Sequence, residues 1–149
     1  MKNILLSLVS IVGIGFITNS YALNLPLGFI NPYVAEAPPN AKALAAYVQI
    51  KNLGNNDTAL ASVSSPDFEK VEIHSMSMEN GVMHMAEQKN LSIPANSEVI
   101  LKSGGLHIML INPKRALKAG DSVEILFTEQ NNTTHLIDAQ VKRIGAHNK

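Results

Sequence analysis

After residue 23 the chain consists almost entirely of short apolar runs that alternate with polar residues or end at turn-forming residues. No segment there keeps the 3.6-residue period of an amphipathic helix for more than a turn or two, although a short helical turn is expected around residues 41–45. The pattern therefore predicts an all-β domain, either a sandwich or a barrel. The predicted strands are 29–35, 45–52, 59–63, 70–78, 82–91, 98–101, 106–111, 122–128 and 134–143.

Asn80-Gly81 lies between two of these runs and is typical of a two-residue type I′ hairpin turn. Such a turn fixes the register of its strands. Met76 then lies opposite Met85, and His74 lies on the same face, diagonal to Met85. Because that diagonal spans about 7 Å, the two side chains can reach one shared atom.

A second pair of ligand-type residues lies in the run 106–111. Alternation places His107 and Met109 on one face and turns the neighbouring Leu and Ile residues toward the core. Gly104-Gly105 comes just before this run and allows a tight turn or a close backbone approach. Together with His74 and Met85, this pair predicts a site of two imidazoles and two thioethers.

The ligand types indicate which metal the site binds. Thioether sulfur is soft and favours Cu(I), whereas zinc prefers thiolate, imidazole and carboxylate, and calcium or magnesium prefers oxygen. The chain has no cysteine, which excludes a blue-copper electron-transfer centre, because such a centre needs a thiolate ligand. Since imidazole must be deprotonated to bind metal, we expect binding to weaken as the pH falls through about 6.5.

The first residues are typical of a signal peptide for export. Lys2 precedes an apolar stretch over residues 4–17, and small residues before and at Ala22 suit cleavage there. We therefore expect a signal peptide at residues 1–22, export of the mature chain, and a single domain at residues 23–149 with a loose tail from about residue 145. The apolar stretch is shorter than the span of about 20 residues that crosses a bilayer.

Composition excludes further classes of protein. Without cysteine the chain lacks the site for lipidation of the bacterial lipoprotein type, a disulfide framework and a thiol nucleophile. Twelve basic residues balance twelve acidic ones, and no run of like charge occurs. This balance argues against nucleic acid as a partner.

At the four predicted ligands the sequence resembles a known family, the periplasmic copper chaperones called PCuAC, whose motif is H-x10-M-x21-H-x-M. His74, Met85, His107 and Met109 match this spacing without adjustment. The surrounding segments are similar as well, so the resemblance covers roughly residues 30–141. The similar segments are 46–52, 71–74, 104–110 and 117–123.

This resemblance implies a cupredoxin-like Greek-key β-sandwich with a Cu(I) site at one end. It also implies copper delivery in the periplasm, often toward the copper centre of a cytochrome c oxidase subunit, with Sco-type thiol proteins as frequent partners. Tyr33 departs from the family, which often carries Trp there. The tail departs too: it keeps only His147 where some members have His- and Met-rich extensions that take Cu(II), which puts such a second site in doubt.

Other functions remain open at this point. A scavenger or resistance factor that buffers periplasmic copper would use the same ligands. A metal-free β-sandwich could instead bind a protein partner through its methionine-rich edge. An enzyme is the least supported choice, because the sequence shows no nucleophile beside a base, no paired carboxylates and no phosphate-cradling loop.

Five further histidines and methionines have structural interpretations. Met76, Met78 and Met83 share the ligand face, where packing or a hydrophobic docking rim is the default interpretation and an auxiliary metal role is the alternative. His84 points to the opposite face and is interpreted as a surface or partly buried residue. His135 lies near a late strand with no partner at metal-ligand spacing.

Overall fold

The computed structural model describes residues 26–144. The predicted signal peptide and the predicted tail lie outside these residues. Within residues 26–144 the chain forms ten strands and no helix, so it contains no helix that could cross a membrane. The strands are β1 (Leu27–Ala35), β2 (Ala43–Asn52), β3 (Thr58–Ser64), β4 (Phe68–Glu79), β5 (Val82–Glu87), β6 (Leu91–Ile93), β7 (Glu98–Leu101), β8 (His107–Pro113), β9 (Ser122–Glu129) and β10 (Thr134–Lys142).

The strands form one mixed sheet in the order β5-β4-β8-β2-β1-β10-β9-β3-β6, and β7 pairs with β2 beside this path. β1 and β10 run parallel, whereas the neighbours along the rest of the path are antiparallel. β3 and β4 are far apart in this order and yet contact each other. The sheet therefore folds over itself into two layers, and the all-β sandwich expected from the sequence is confirmed.

One apolar core lies between the two layers. Every strand except β5 contributes to it, and each residue of β5 is exposed. Because β5 is an edge strand that pairs only with β4, its position depends on that pairing and not on the core. Core side chains include Val34, Ile50, Leu60, Phe68, Ile93, Leu101, Ile108, Leu110, Val123, Ile125, Phe127 and Val141.

The hairpin of β4 and β5 has the predicted register. Asn80 and Gly81 have φ angles of 52° and 77°, and a type I′ turn needs positive φ at both central residues. Met76 is paired with Met85. The prediction from the Asn-Gly turn is confirmed.

Two local predictions were wrong. The run 82–91 is not one strand, because the pairing of β5 ends at Glu87 and the chain crosses to place β6 beside β3. Asn90 has a φ of 56° at this crossing, a conformation that Asn tolerates better than most residues. The helical turn expected around residues 41–45 is absent, since β2 begins at Ala43.

Candidate metal centre

The predicted ligands lie on three neighbouring strands. β4 is hydrogen-bonded to β5 on one side and to β8 on the other. His74 is the direct partner of His107 across β4 and β8, and Met76 is the direct partner of Met85 across β4 and β5. Residues two apart on a strand share a face, so the structure brings His74, Met85, His107 and Met109 to one patch of the sheet. Their binding of a metal remains a prediction.

A cleft of about 440 Å³ opens on this patch. It is lined by Met85, His107 and Met109, and also by Met76 and Met83. Ala43 and Ala45 of β2 also line the cleft. His74 does not line the cleft; its ring lies beside the ring of His107, with 5.9 Å between centroids.

Tyr47 forms one wall of the cleft and is itself buried. Its ring packs against that of Tyr33, with 5.2 Å between centroids. Tyr33 is the residue that stands where PCuAC sequences often carry Trp. The pair of aromatic rings therefore supports the cleft from the β1 and β2 side.

His107 is oriented for binding through one nitrogen. Its Nδ1 lies 3.1 Å from the carbonyl oxygen of Gly105. Because a carbonyl oxygen only accepts, Nδ1 carries the proton and donates, which leaves a lone pair on Nε2. The His107 side chain is buried, and its hydrogen bond to the backbone carbonyl of Gly105 orients the ring.

His74 is oriented in the opposite sense. Its Nε2 lies 2.9 Å from Oε2 of Glu72, so Nε2 donates and Nδ1 holds the lone pair. A hydrogen bond from Lys70, and then the one from His74, hold the pKa of Glu72 below its ordinary value. The Glu72 carboxylate is therefore charged and able to fix the imidazole.

The Nδ1 atom of His74 is the one buried side-chain nitrogen or oxygen among residues 26–144 that has no hydrogen-bond partner. An unpaired buried acceptor costs free energy of about 1–3 kcal/mol, and such an atom calls for an explanation. A metal ion that accepts the Nδ1 lone pair would satisfy it. The orphaned Nδ1 therefore fits the role that the sequence predicts for His74, that of a metal ligand.

The two thioethers among the predicted ligands differ in exposure. Met85 is 48% exposed, whereas Met109 is half-buried in the cleft. Among the described residues, no three His, Cys, Asp or Glu side chains are grouped so that they could hold a metal. The patch therefore lacks the harder donor sets of zinc and calcium sites and offers two imidazoles with soft sulfur.

Sequence reasoning missed Glu72. The signal was present, because Glu72 precedes His74 by two residues and must share its face in a strand. The structure also places Glu72 directly opposite Met109 across β4 and β8. Glu72 thus borders the predicted site and orients His74, one of the predicted ligands.

His84 and His135, which were not predicted to be ligands, do not line the cleft. His84 is exposed and pairs with Ser77 on the other face of the hairpin, as predicted. His135 is buried, and its Nε2 lies 2.7 Å from Oε1 of Glu129. The structure therefore gives His135 a carboxylate partner, one that the sequence pattern did not indicate.

Solved structures share this fold. The Cu(I) form of DR1885 from Deinococcus radiodurans is 29% identical, with a TM-score of 0.61 over 85% of this chain and 84% of that one. The copper-bound PCuAC domain from PmoF2 is 19% identical, with a TM-score of 0.67 over 79% of this chain and 93% of that one. The chain therefore has the cupredoxin-like β fold of the PCuAC domains.

Sequence comparison gives the family. The model of the LpqE-like family, described as "Putative lipoprotein LpqE-like", matches residues 27–141. The curated "Uncharacterized protein RP573" of Rickettsia prowazekii (strain Madrid E) is 33% identical over 106 residues, which is 70% of this chain. The chain belongs to the LpqE-like family. The match to RP573 spans 59% of the length of that protein. It spans 64% of the length of a second curated relative, the "Putative lipoprotein Lxx21020" of Leifsonia xyli subsp. xyli (strain CTCB07).

Proposed function

We propose that this protein is a periplasmic metallochaperone that binds Cu(I) through His74, Met85, His107 and Met109. The observation that carries the proposal is the unpartnered Nδ1 of His74, next to a second imidazole whose Nε2 is free to bind. Two thioethers on the same face add soft donors, which favour Cu(I) over harder ions. The copper-bound states of DR1885 and the PmoF2 domain support the same choice of metal.

The geometry suits transfer and not turnover. All four donors are neutral, so they bind Cu(I) without the thiolate charge that would hold it more strongly. His107 lies deep in the cleft, whereas Met85 stands on the exposed strand β5. A ligand atom of the protein that receives the copper can therefore replace Met85 first, while the two imidazoles still hold the ion.

Export and destination are the finer parts of this proposal. The signal-peptide pattern at residues 1–22 and the lipoprotein description of the family both support export. By its resemblance to PCuAC proteins, we expect the recipient to be a copper-accepting protein such as a cytochrome c oxidase subunit or a Sco-type thiol protein. We propose no enzymatic activity.

The binding proposal is tested by titrating Cu(I) into the purified protein, without oxygen, in competition with a chromophoric Cu(I) chelator. Changing His74 or His107 to Ala, or Met85 or Met109 to Leu, should lower the affinity by more than the 10- to 100-fold typical of outer-shell changes. His84→Ala is the matched control, because His84 lies on the opposite face of the same hairpin. Unchanged affinity in His107→Ala or Met109→Leu would exclude the site.

Delivery is separated from storage in cells. A strain without the gene should lose oxidase activity at limiting copper and regain it when copper is added. Sensitivity to excess copper with normal oxidase activity would indicate a scavenger or resistance protein instead. If the protein purified from the periplasm or exposed to Cu(I) holds no copper, the metal-free protein-binding function replaces both.

A further inference from the structure

Four methionines form a ladder on one face of the β4–β5 hairpin. The methionine ladder consists of Met76 and Met78 on β4 and of Met83 and Met85 on β5. Met76 is the direct partner of Met85, and Met78 is the direct partner of Met83. Residues two apart on a strand are separated by about 6.6 Å, so the four side chains occupy one compact rectangle.

Both rungs of the ladder are close pairs. The amide of Met76 donates to the carbonyl of Gly105, in the bend just before β8 and away from Met85, and the amide of Gln88 donates to the carbonyl of Ile73. Hydrogen-bonded and non-hydrogen-bonded pairs alternate along antiparallel strands. The rungs are therefore non-hydrogen-bonded pairs, whose Cα atoms lie about 4.5 Å apart and whose side chains are closer than in the other kind.

Packing does not account for the ladder. Met78, Met83 and Met85 are 68%, 57% and 48% exposed, and β5 contributes nothing to the core. A sheet edge made only to be soluble would carry charged residues on such a face. The two close pairs, with Met76 partly buried and the other three methionines exposed, instead present soft donors to solvent.

We propose that Met76, Met78 and Met83 bind a second Cu(I) ion beside the proposed site. Three thioethers give a neutral, sulfur-only donor set that selects Cu(I) among the common biological metals. Met76 and Met83 line the same cleft as Met85, His107 and Met109, so the second ion lies next to the first site.

This second site holds copper more weakly than the first and is the more accessible of the two. It has no imidazole, and two of its three ligands are more than half exposed. Copper from solvent or from a donor protein meets the ladder before it meets His107. The inference rests on the proposed function only for the identity of the metal; its ligands are separate from the four of the first site.

The test is the number of Cu(I) equivalents that the purified protein binds without oxygen. The wild type should bind two equivalents, the second more weakly. A triple variant with Leu at Met76, Met78 and Met83 should bind one, because Leu keeps the volume and removes the sulfur. The double variant His74→Ala and His107→Ala should keep one equivalent whose X-ray absorption spectrum shows sulfur ligands and no imidazole.

Val82→Leu is the control, since it enlarges an exposed apolar side chain on the same hairpin and removes no sulfur. It should bind two equivalents, and thermal unfolding should show that all variants are folded. A wild type that binds a single equivalent with imidazole ligands, or a triple Leu variant that binds two equivalents, overturns the second site. A wild type that binds a single equivalent with sulfur ligands only, and keeps it in the double His variant, would overturn the proposed function and leave the ladder site standing.

Discussion

The Nε2 atom of His74 lies 2.9 Å from Oε2 of Glu72, two residues earlier on the same face of β4. This hydrogen bond decides which imidazole nitrogen is free, because it leaves the Nδ1 lone pair buried and unpartnered. Lys70 forms an ion pair with the other oxygen of the same carboxylate. The arrangement Lys70–Glu72–His74 is the kind of outer shell that orients histidine ligands in metal sites.

Changing Glu72 to Ala should therefore weaken Cu(I) binding by about 10- to 100-fold. Without the carboxylate, the His74 ring can turn and its proton can move to Nδ1. Glu72→Gln should recover most of the affinity, because the amide oxygen accepts the same hydrogen bond. Chelator competition measures both effects, and Glu79→Ala is the control for loss of an exposed charge on the same strand. Equal affinities for wild type and Glu72→Ala would contradict this role.

Gly81→Ala should lower copper affinity with little effect on global unfolding. An added Cβ at Gly81 meets no atom within 4 Å, but the φ of 77° is strained for Ala by roughly 1–2 kcal/mol. The strain falls on the hairpin that positions Met85, and β5 lies outside the core. The affinity should fall by up to about 5- to 30-fold, while the thermal midpoint changes little.

Gly120→Ala is the matched control for this prediction. Gly120 also has a positive φ, of 95°, and an added Cβ there is equally free of contacts. Its amide, however, donates to the carbonyl of Val141 on a strand that contributes to the core. Gly120→Ala should therefore lower the thermal midpoint and leave the copper affinity of the folded protein unchanged. If Gly81→Ala lowered only the thermal midpoint and Gly120→Ala lowered the copper affinity, β5 would not be the element that positions Met85.

The parts of the site that could be predicted from sequence are the local ones. The Asn80-Gly81 turn fixes the register of β4 and β5 within a dozen residues, so the pairing of Met76 with Met85 follows from turn geometry alone. Alternation likewise places His107 and Met109 on one face.

The pairing of β4 with β8 could not be predicted in this way. His74 and His107 are 33 residues apart (107 minus 74), and no turn between them fixes which strands become neighbours. Hydrophobic alternation states which face of a strand is buried but not which strand lies beside it. For the same reason the sequence predicts one strand over residues 82–91, whereas the structure pairs β5 with β4 and β6 with β3.

Stability should depend on pH through Glu36 at the end of β1. Its carboxylate accepts hydrogen bonds from Arg143 and from the amide of Ala119, and these contacts lower its pKa from the usual 4.5. A carboxyl whose pKa is lower in the folded state stabilises the fold above the unfolded pKa, and this stabilisation is lost as the pH falls through the folded pKa. The wild type should thus unfold at a higher temperature than Glu36→Gln at pH 7, and the difference should vanish in acid.

Arg143→Gln is the companion variant for this pH series, because it removes the larger cause of the shift. Between pH 7 and acid, the thermal midpoint of Arg143→Gln should change less than that of the wild type. Some change should remain, since the amide of Ala119 still donates to Glu36. Thermal unfolding curves at a series of pH values below 7 measure the effect. A difference between wild type and Glu36→Gln that stays constant down to strongly acidic pH would show that the charge of Glu36 is not its cause.

His135 should matter for stability and not for copper. Its Nε2 donates to the buried carboxylate of Glu129, which also accepts a hydrogen bond from Thr58, and its ring packs against Phe29 with 5.4 Å between centroids. His135→Ala leaves that carboxylate without its imidazole partner and should lower the free energy of unfolding by about 3–5 kcal/mol, as measured by urea denaturation. His135→Gln should recover part of this loss, because its amide can donate.

His84→Ala is the control for His135→Ala, since His84 is exposed on β5 and its loss should change stability by no more than about 0.5 kcal/mol. The folded fraction of each variant should bind Cu(I) with wild-type affinity, because neither side chain reaches the cleft. A drop in copper affinity for His135→Ala, measured where the variant is fully folded, would contradict the separation of the two histidine environments. Equal unfolding free energies for the two variants would show that the buried carboxylate does not need His135.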